Sequence, residues 1–127
     1  MAFPADLKYT KEHEWIKIEG NTGTIGITDY AQNSLGDIVF VELPKPGTEI
    51  TVGKSFGTVE SVKAVSDLFA PVSGTIAEVN PELANAPEKV NSDAHSAWMV
   101  KVRLKDPSQA NALMSAADYE KFVAEEQ

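Results

Sequence analysis

Lys63 has the most telling surroundings of any residue able to do chemistry, in the run Phe56-Gly57-Thr58-Val59-Glu60-Ser61-Val62-Lys63-Ala64-Val65-Ser66-Asp67-Leu68-Phe69-Ala70-Pro71. Two short apolar segments flank it, each rich in β-branched or aromatic residues and too short for a helix. They read as two strands that fold back near the lysine and hold its amine out at a tip. The chain has no cysteine, and no Gly-x-Ser-x-Gly or other nucleophile signature appears. Its two histidines, His13 and His95, lie far apart with no cysteine beside them, so no metal site is expected. Gly47 followed by Gly53-Lys54-Ser55 imitates a phosphate-binding loop, but five residues separate the glycines where the motif needs four. Ser55 also runs into strand-like residues rather than a helix. No residue is therefore expected to be catalytic. A protein without a reactive group of its own can still display one lysine for covalent loading.

Bulk properties narrow the setting. The 127 residues suit one domain with one core. A formal net charge of -8 opposes binding to nucleic acid or an anionic membrane and favours partners with basic surfaces. No apolar stretch approaches the ~20 residues that span a bilayer, and Met1-Ala2-Phe3-Pro4 lacks the pattern of a signal peptide. The short stretch before Leu7 favours a cytoplasmic bacterial protein over a processed mitochondrial one.

The elements that must position the lysine are mostly strands. Ile16 and Ile18 alternate with Trp15, Lys17 and Glu19, and Gly20-Asn21 turns the chain into Thr24-Ile25-Gly26-Ile27, which predicts a hairpin. Thr28 or Asp29 can cap a short helix over 29–35, with Gly36 suited to the positive-φ position after it. Strands are expected over 37–43, halted by Pro44, and over 49–52 and 75–79. Asn80-Pro81 then starts a helical turn. Trp98, Val100, Val102 and Leu104 share one face of a late strand, with Met99, Lys101, Arg103 and Lys105 on the other. Beyond Pro107 the period becomes helical, with stripes at Ala110, Leu113 and Met114 and at Tyr119, Phe122 and Val123. Together these predict a mainly β sandwich or partly closed barrel with peripheral helices.

Glu60-Ser61-Val62-Lys63-Ala64, followed by Ser66-Asp67 and Pro71-Val72-Ser73-Gly74, resembles the lipoyl-attachment segment of the glycine cleavage system H protein family. The resemblance runs through His13-Glu14-Trp15, Gly26-Ile27-Thr28-Asp29-Tyr30-Ala31-Gln32, Leu35-Gly36-Asp37, Val41-Glu42-Leu43-Pro44, Glu78-Val79-Asn80, Val90-Asn91 and Trp98-Met99. It covers nearly the whole chain. Biotin carriers flank their lysine with methionines, and lipoyl domains of 2-oxo acid dehydrogenases carry Asp-Lys-Ala, so Val62 and Ala64 set this chain apart from both. Residues 93–97 depart from the family pattern of an aromatic residue and glycines before the late tryptophan.

The resemblance implies a small barrel-sandwich hybrid of the lipoyl/biotinyl type, with short peripheral helices and a helical C-terminus, spanning 1–127 as one lipoyl-carrier domain. It implies lipoate in amide linkage on Lys63, with Glu60, Ser61, Val62 and Ala64 recognised by the lipoylating enzyme, a lipoate ligase or an octanoyl/lipoyl transferase. The chain would then be a carrier and not an enzyme. It would take an aminomethyl group from the pyridoxal-phosphate glycine decarboxylase (P protein) to the tetrahydrofolate-dependent aminomethyltransferase (T protein). Electrons would pass to dihydrolipoamide dehydrogenase (L protein), and the carrier would act as a monomer. Glu12, Glu14 and Asp67 match the region that shields the loaded arm, where carboxylates favour a nearby ammonium. Alternative readings are a relay that donates lipoate to other enzymes, a biotinylated carrier, or an unmodified β-rich interaction module.

Overall fold

Alternation and turn chemistry place the first hairpin. In the computed structural model, which describes residues 3–126, β1 (Lys8–Tyr9) pairs with β2 (Glu14–Glu19), and β2 pairs antiparallel with β3 (Thr22–Ile27). Glu19 faces Thr22 across Gly20-Asn21, and Gly20 takes a φ of 62°, which a side chain would resist. Helix α1 (Asp29–Leu35) follows, with the Thr28 hydroxyl accepting from the Ala31 amide and Gly36 ending it at φ 86°. The strands β4 (Ile38–Glu42), β5 (Glu49–Ile50), β6 (Ser55–Ser61), β7 (Val65–Phe69) and β8 (Gly74–Val79) come next. Two short helices, α2 (Glu82–Asn85) and α3 (Lys89–Ser92), precede β9 (Val100–Leu104). A 3-10 turn (Pro107–Ala112) and α4 (Ala116–Glu126) close the chain.

Every strand pairing is antiparallel, and the strands form two sheets, β1-β2-β3-β9-β8-β5 and β4-β6-β7. The mainly β fold with peripheral helices is the expected one, built as two packed sheets. Ile16, Ile25, Val100, Val102 and Ile76 of the larger sheet meet Val41, Val59 and Leu68 of the smaller one in the main core. A second cluster, Phe3, Leu7, Tyr9, Trp15, Tyr119 and Val123, joins the N-terminal segment to α4. Phe3 meets the Tyr119 ring edge-on at 4.7 Å, while Tyr9 stacks on it at 4.8 Å.

Two local expectations shift. The strand expected over 49–52 stops at Ile50, because Thr51 to Lys54 closes a turn, with Gly53 at φ 82° and the Lys54 amide donating to the Thr51 carbonyl. Met99, expected on the polar face of the late strand, is fully buried in the main core. Regular strand begins only at Val100, so strict alternation does not reach back to Met99, and its amide donates to the Ile25 carbonyl.

Candidate functional site

The β6-β7 hairpin carries Lys63 in the loop after Ser61, with Glu60 paired to Val65 as the last rung of the ladder. Lys63 is exposed. Ser61 is buried and holds the turn in shape: its hydroxyl oxygen accepts from the amides of Lys63 at 3.3 Å and Ala64 at 3.1 Å. Its own amide donates to the Ala64 carbonyl at 2.8 Å. A serine that bonds to backbone two or three residues on is a local device for fixing a turn. The Val62 amide is taken up by the Asp37 carbonyl at 3.0 Å, so the tip is also tied to the segment between α1 and β4.

That segment is anchored in turn by Asn91 of α3. Its Oδ1 accepts from the Ile38 amide at 2.8 Å, and its Nδ2 donates to the Gly36 carbonyl and to Gln32 Oε1, each at 2.9 Å. The Lys63 stem lies across Gly36, where a β-carbon would stand 3.4 Å from the lysine Cε. Glycine there serves both the positive φ of the helix end and the path of the lysine. In the sequence Asn91 stands out only within the Val90-Asn91 stretch of the family resemblance. One side-chain amide satisfying three partners from two other elements leaves no periodic signal.

The expected site residues fall into two groups. Glu60, Ser61, Val62 and Ala64 surround Lys63 on the hairpin, Glu60 and Ala64 in solvent and Val62 68% exposed. Glu14 reaches across to the other end of β7: its Oε2 accepts from the Phe69 amide at 3.2 Å, and its Oε1 accepts from the Thr10 hydroxyl at 2.6 Å. Phe69 is six residues past Lys63, about 20 Å along an extended strand. Asp67, two residues before Phe69, is exposed and accepts from the Ser55 hydroxyl at 3.3 Å. Glu12 is exposed too. Glu14 is only 2% exposed, and burial pushes its carboxyl up to about 7, with the Glu12 charge adding to the shift and the hydrogen bonds opposing it.

Both histidines are structural. His13 sits at φ 72°, an uncommon conformation for a residue with a side chain. Its Nδ1 lies 2.7 Å from the Tyr119 hydroxyl, which lies 2.7 Å from the Thr28 hydroxyl that caps α1, and its Nε2 lies 3.0 Å from a Glu126 oxygen. Every atom of that chain is satisfied if Thr28 donates to Tyr119, Tyr119 to Nδ1, and Nε2–H to Glu126, which is the neutral imidazole. Burial lowers the His13 pKa in the same direction. His95, in the loop that departs from the family pattern, accepts from the Asp29 amide at 3.1 Å, and burial lowers its pKa as well. The same loop gives the Ala94 carbonyl to the Trp15 indole at 3.0 Å. Both histidines thus hold the start of the helix whose other end underlies Lys63.

Comparison with known proteins gives one consistent result. Residues 7–126 match the family model described as glycine cleavage H-protein. A glycine cleavage system H protein from Koribacter versatilis is 73% identical over 126 residues, spanning 99% of this chain and 98% of the relative. Its namesake from Acidobacterium capsulatum is 68% identical over the same shares of both chains. The namesake from Staphylococcus saprophyticus is 60% identical, covering 98% of this chain and 100% of its own. Among solved structures, the crystal structure of a glycine cleavage system H protein from Mycobacterium marinum superposes with a TM-score of 0.87 at 38% identity, covering 96% of this chain and 99% of that one.

Proposed function

The chain belongs to the glycine cleavage H-protein family, and from that premise we propose that Lys63 is its point of lipoate attachment. It is the lipoyl carrier of glycine cleavage, moving between the P, T and L proteins, and is not itself an enzyme. The observation that carries the attachment site is an exposed lysine at the tip of a turn held by Ser61 and by the Asp37 carbonyl. The surroundings fit an acyl arm: the lysine stem runs over a glycine, and none of the hydrogen bonds that shape the turn uses the amine.

When bound, a dithiolane would supply the sulfur pair that is reduced as it accepts the aminomethyl group and that later gives up the two electrons. The protein's contribution is to present and to tether. A fixed hairpin keeps the arm at high effective concentration for each successive active site. Acylation also removes the Lys63 charge, taking the formal count from -8 to -9. Glu60, Ser61, Val62 and Ala64 are the recognition elements for a lipoate ligase or an octanoyl/lipoyl transferase. Glu12, Glu14 and Asp67 shield the loaded arm: Asp67 lies on β7, the Glu14 carboxyl reaches from β2 to the Phe69 amide at the end of that strand, and Glu12 lies close enough to Glu14 to raise its pKa. Neutralising Glu14 should shorten the lifetime of the loaded form without affecting acylation, and an unchanged lifetime would remove it from that role.

The chain acts as one carrier domain and as a monomer in the bacterial cytoplasm. The bacterial relatives support that location, and among the described residues no helix is long and apolar enough to cross a membrane. Reconstitution with purified P, T and L proteins tests the function. Glycine-dependent NAD reduction should require the acylated chain and vanish with Lys63→Arg, whereas full activity of that variant would overturn the proposal.

A further inference from the structure

The outward face of the β4-β6-β7 sheet has a composition that folding alone does not explain. Residues paired across antiparallel strands point to the same side. Phe40, Glu60 and Val65 therefore form one outward row, and Glu42, Thr58 and Asp67 the next. Phe40 is 51% exposed and Val65 66% exposed, while Val41, Val59 and Leu68 point the other way into the core. A register shift between Ile38 and Phe40 turns Val39 outward as well, and Val62 continues the apolar surface to the tip. The two rows hold three carboxylates and no cation. Glu60, on the central strand β6, stands between Phe40 and Val65, and Glu42 and Asp67 flank Thr58 in the next row, so exposed apolar groups interleave with charges of one sign, a composition suited to docking.

We propose that this face is where the enzyme that acylates Lys63 docks, and that this enzyme offers apolar contacts for Phe40 and Val65 and basic side chains for Glu60 between them and for Glu42 and Asp67 beside them. The proposal rests on the reading that Lys63 is acylated, and extends recognition from the hairpin tip to β4. Reach selects this partner over the others. The acylating enzyme must bring its donor carbonyl within bonding distance of Nζ itself, so its body has to rest on the surface beside the lysine. An enzyme that works on the far end of a loaded arm faces no such requirement.

With an acyl adenylate made from lipoate and ATP as donor, the Lys63 ammonium first loses a proton. The amine nitrogen then attacks the carbonyl carbon, and the C–N bond forms as the C–O bond to phosphate breaks. AMP leaves with the electron pair, and a second proton passes to solvent. No residue of this chain need act on the donor, so the face should affect how well the chain is bound and not the chemical step.

The test is the initial rate of acylation of the unmodified chain by a lipoate ligase supplied with lipoate and ATP, followed by intact mass. The double variant Phe40→Ser/Val65→Ser should raise KM for the chain by about tenfold or more with kcat little changed, as for loss of an aromatic anchor. Val52→Ser removes an exposed valine from outside the face and should leave KM as it was. Glu42→Lys keeps the apolar residues, and should raise KM in a way that added salt diminishes. An unchanged KM in both the double variant and Glu42→Lys, with the parent chain acylated normally, would overturn the docking face while leaving Lys63 as the attachment site. Failure of the parent chain to gain mass would overturn the attachment site and this face with it.

Discussion

The two ends of β7 treat polar and apolar groups in opposite ways. Around Lys63, the hairpin leaves Val62 and Val65 in water and spends its buried polar group, Ser61, on holding the backbone of the turn. Around Phe69, the chain buries a carboxyl, Glu14, and packs beside it a region where tyrosine, histidine and threonine are linked through their side chains. Exposed apolar residues serve to meet another molecule, whereas buried polar ones fasten the N-terminal strands and α4 to the rest of the fold. The display end is rigid because the fastened end and Asn91 hold what lies beneath it.

The largest expected effect breaks the fastened end at Glu14. Its carboxyl is raised from an ordinary 4.5 to about 7 by burial, so the folded chain holds this proton more tightly than the unfolded one. The stability it lends is complete below about pH 4.5 and is lost as pH rises through 7, a change of about 3 kcal/mol. Glu14→Gln reproduces the protonated form, accepting from the Phe69 amide and donating to Thr10. Urea midpoints between pH 4.5 and 8 should therefore fall less with rising pH in the variant. Parallel curves for the two proteins would show that Glu14 titrates normally.

Tyr119→Phe comes next. It removes the hydroxyl between His13 and Thr28 and leaves both partners short of a bond, costing about 1–3 kcal/mol by denaturant unfolding. Lys63 acylation should persist, because the display end does not use this link. Ser61→Ala should be mildest in stability, about 1 kcal/mol, since the turn is near solvent. Here the sharper readout is acylation, which should slow because Lys63 is no longer held in one place. A Ser61→Ala chain acylated as fast as the parent would show that the turn keeps its shape without that hydroxyl.

Much of the display end was legible in sequence. Strand-forming residues on both sides of Lys63 and Gly36 after a capped helix each obey a local rule and appear where expected, as does the Gly20-Asn21 turn of the larger sheet. The fastened end was less legible because its contacts join residues far apart in the chain. Thr28 meets Tyr119 across 91 positions and His13 meets it across 106, and neither distance leaves a period. Strand alternation puts Glu14 on the face of Ile16 and Ile18, but a carboxyl there reads as solvated, and the Phe69 amide that donates to it lies 55 positions away. Phe40 misleads in the opposite sense: within Ile38-Val39-Phe40-Val41 an unbroken apolar run reads as core, yet Phe40 alternates outward from Val41 and the register shift beside Ile38 turns Val39 outward as well.

Every functional role proposed for this chain depends on Lys63 alone carrying the sulfur-bearing group. The most direct test is intact mass with peptide mapping of the chain purified from a host that makes lipoate. One lipoyl increment is expected, located on the peptide containing Lys63, and none in Lys63→Arg. A bare Lys63 in that host, or an increment on any other lysine, would contradict it.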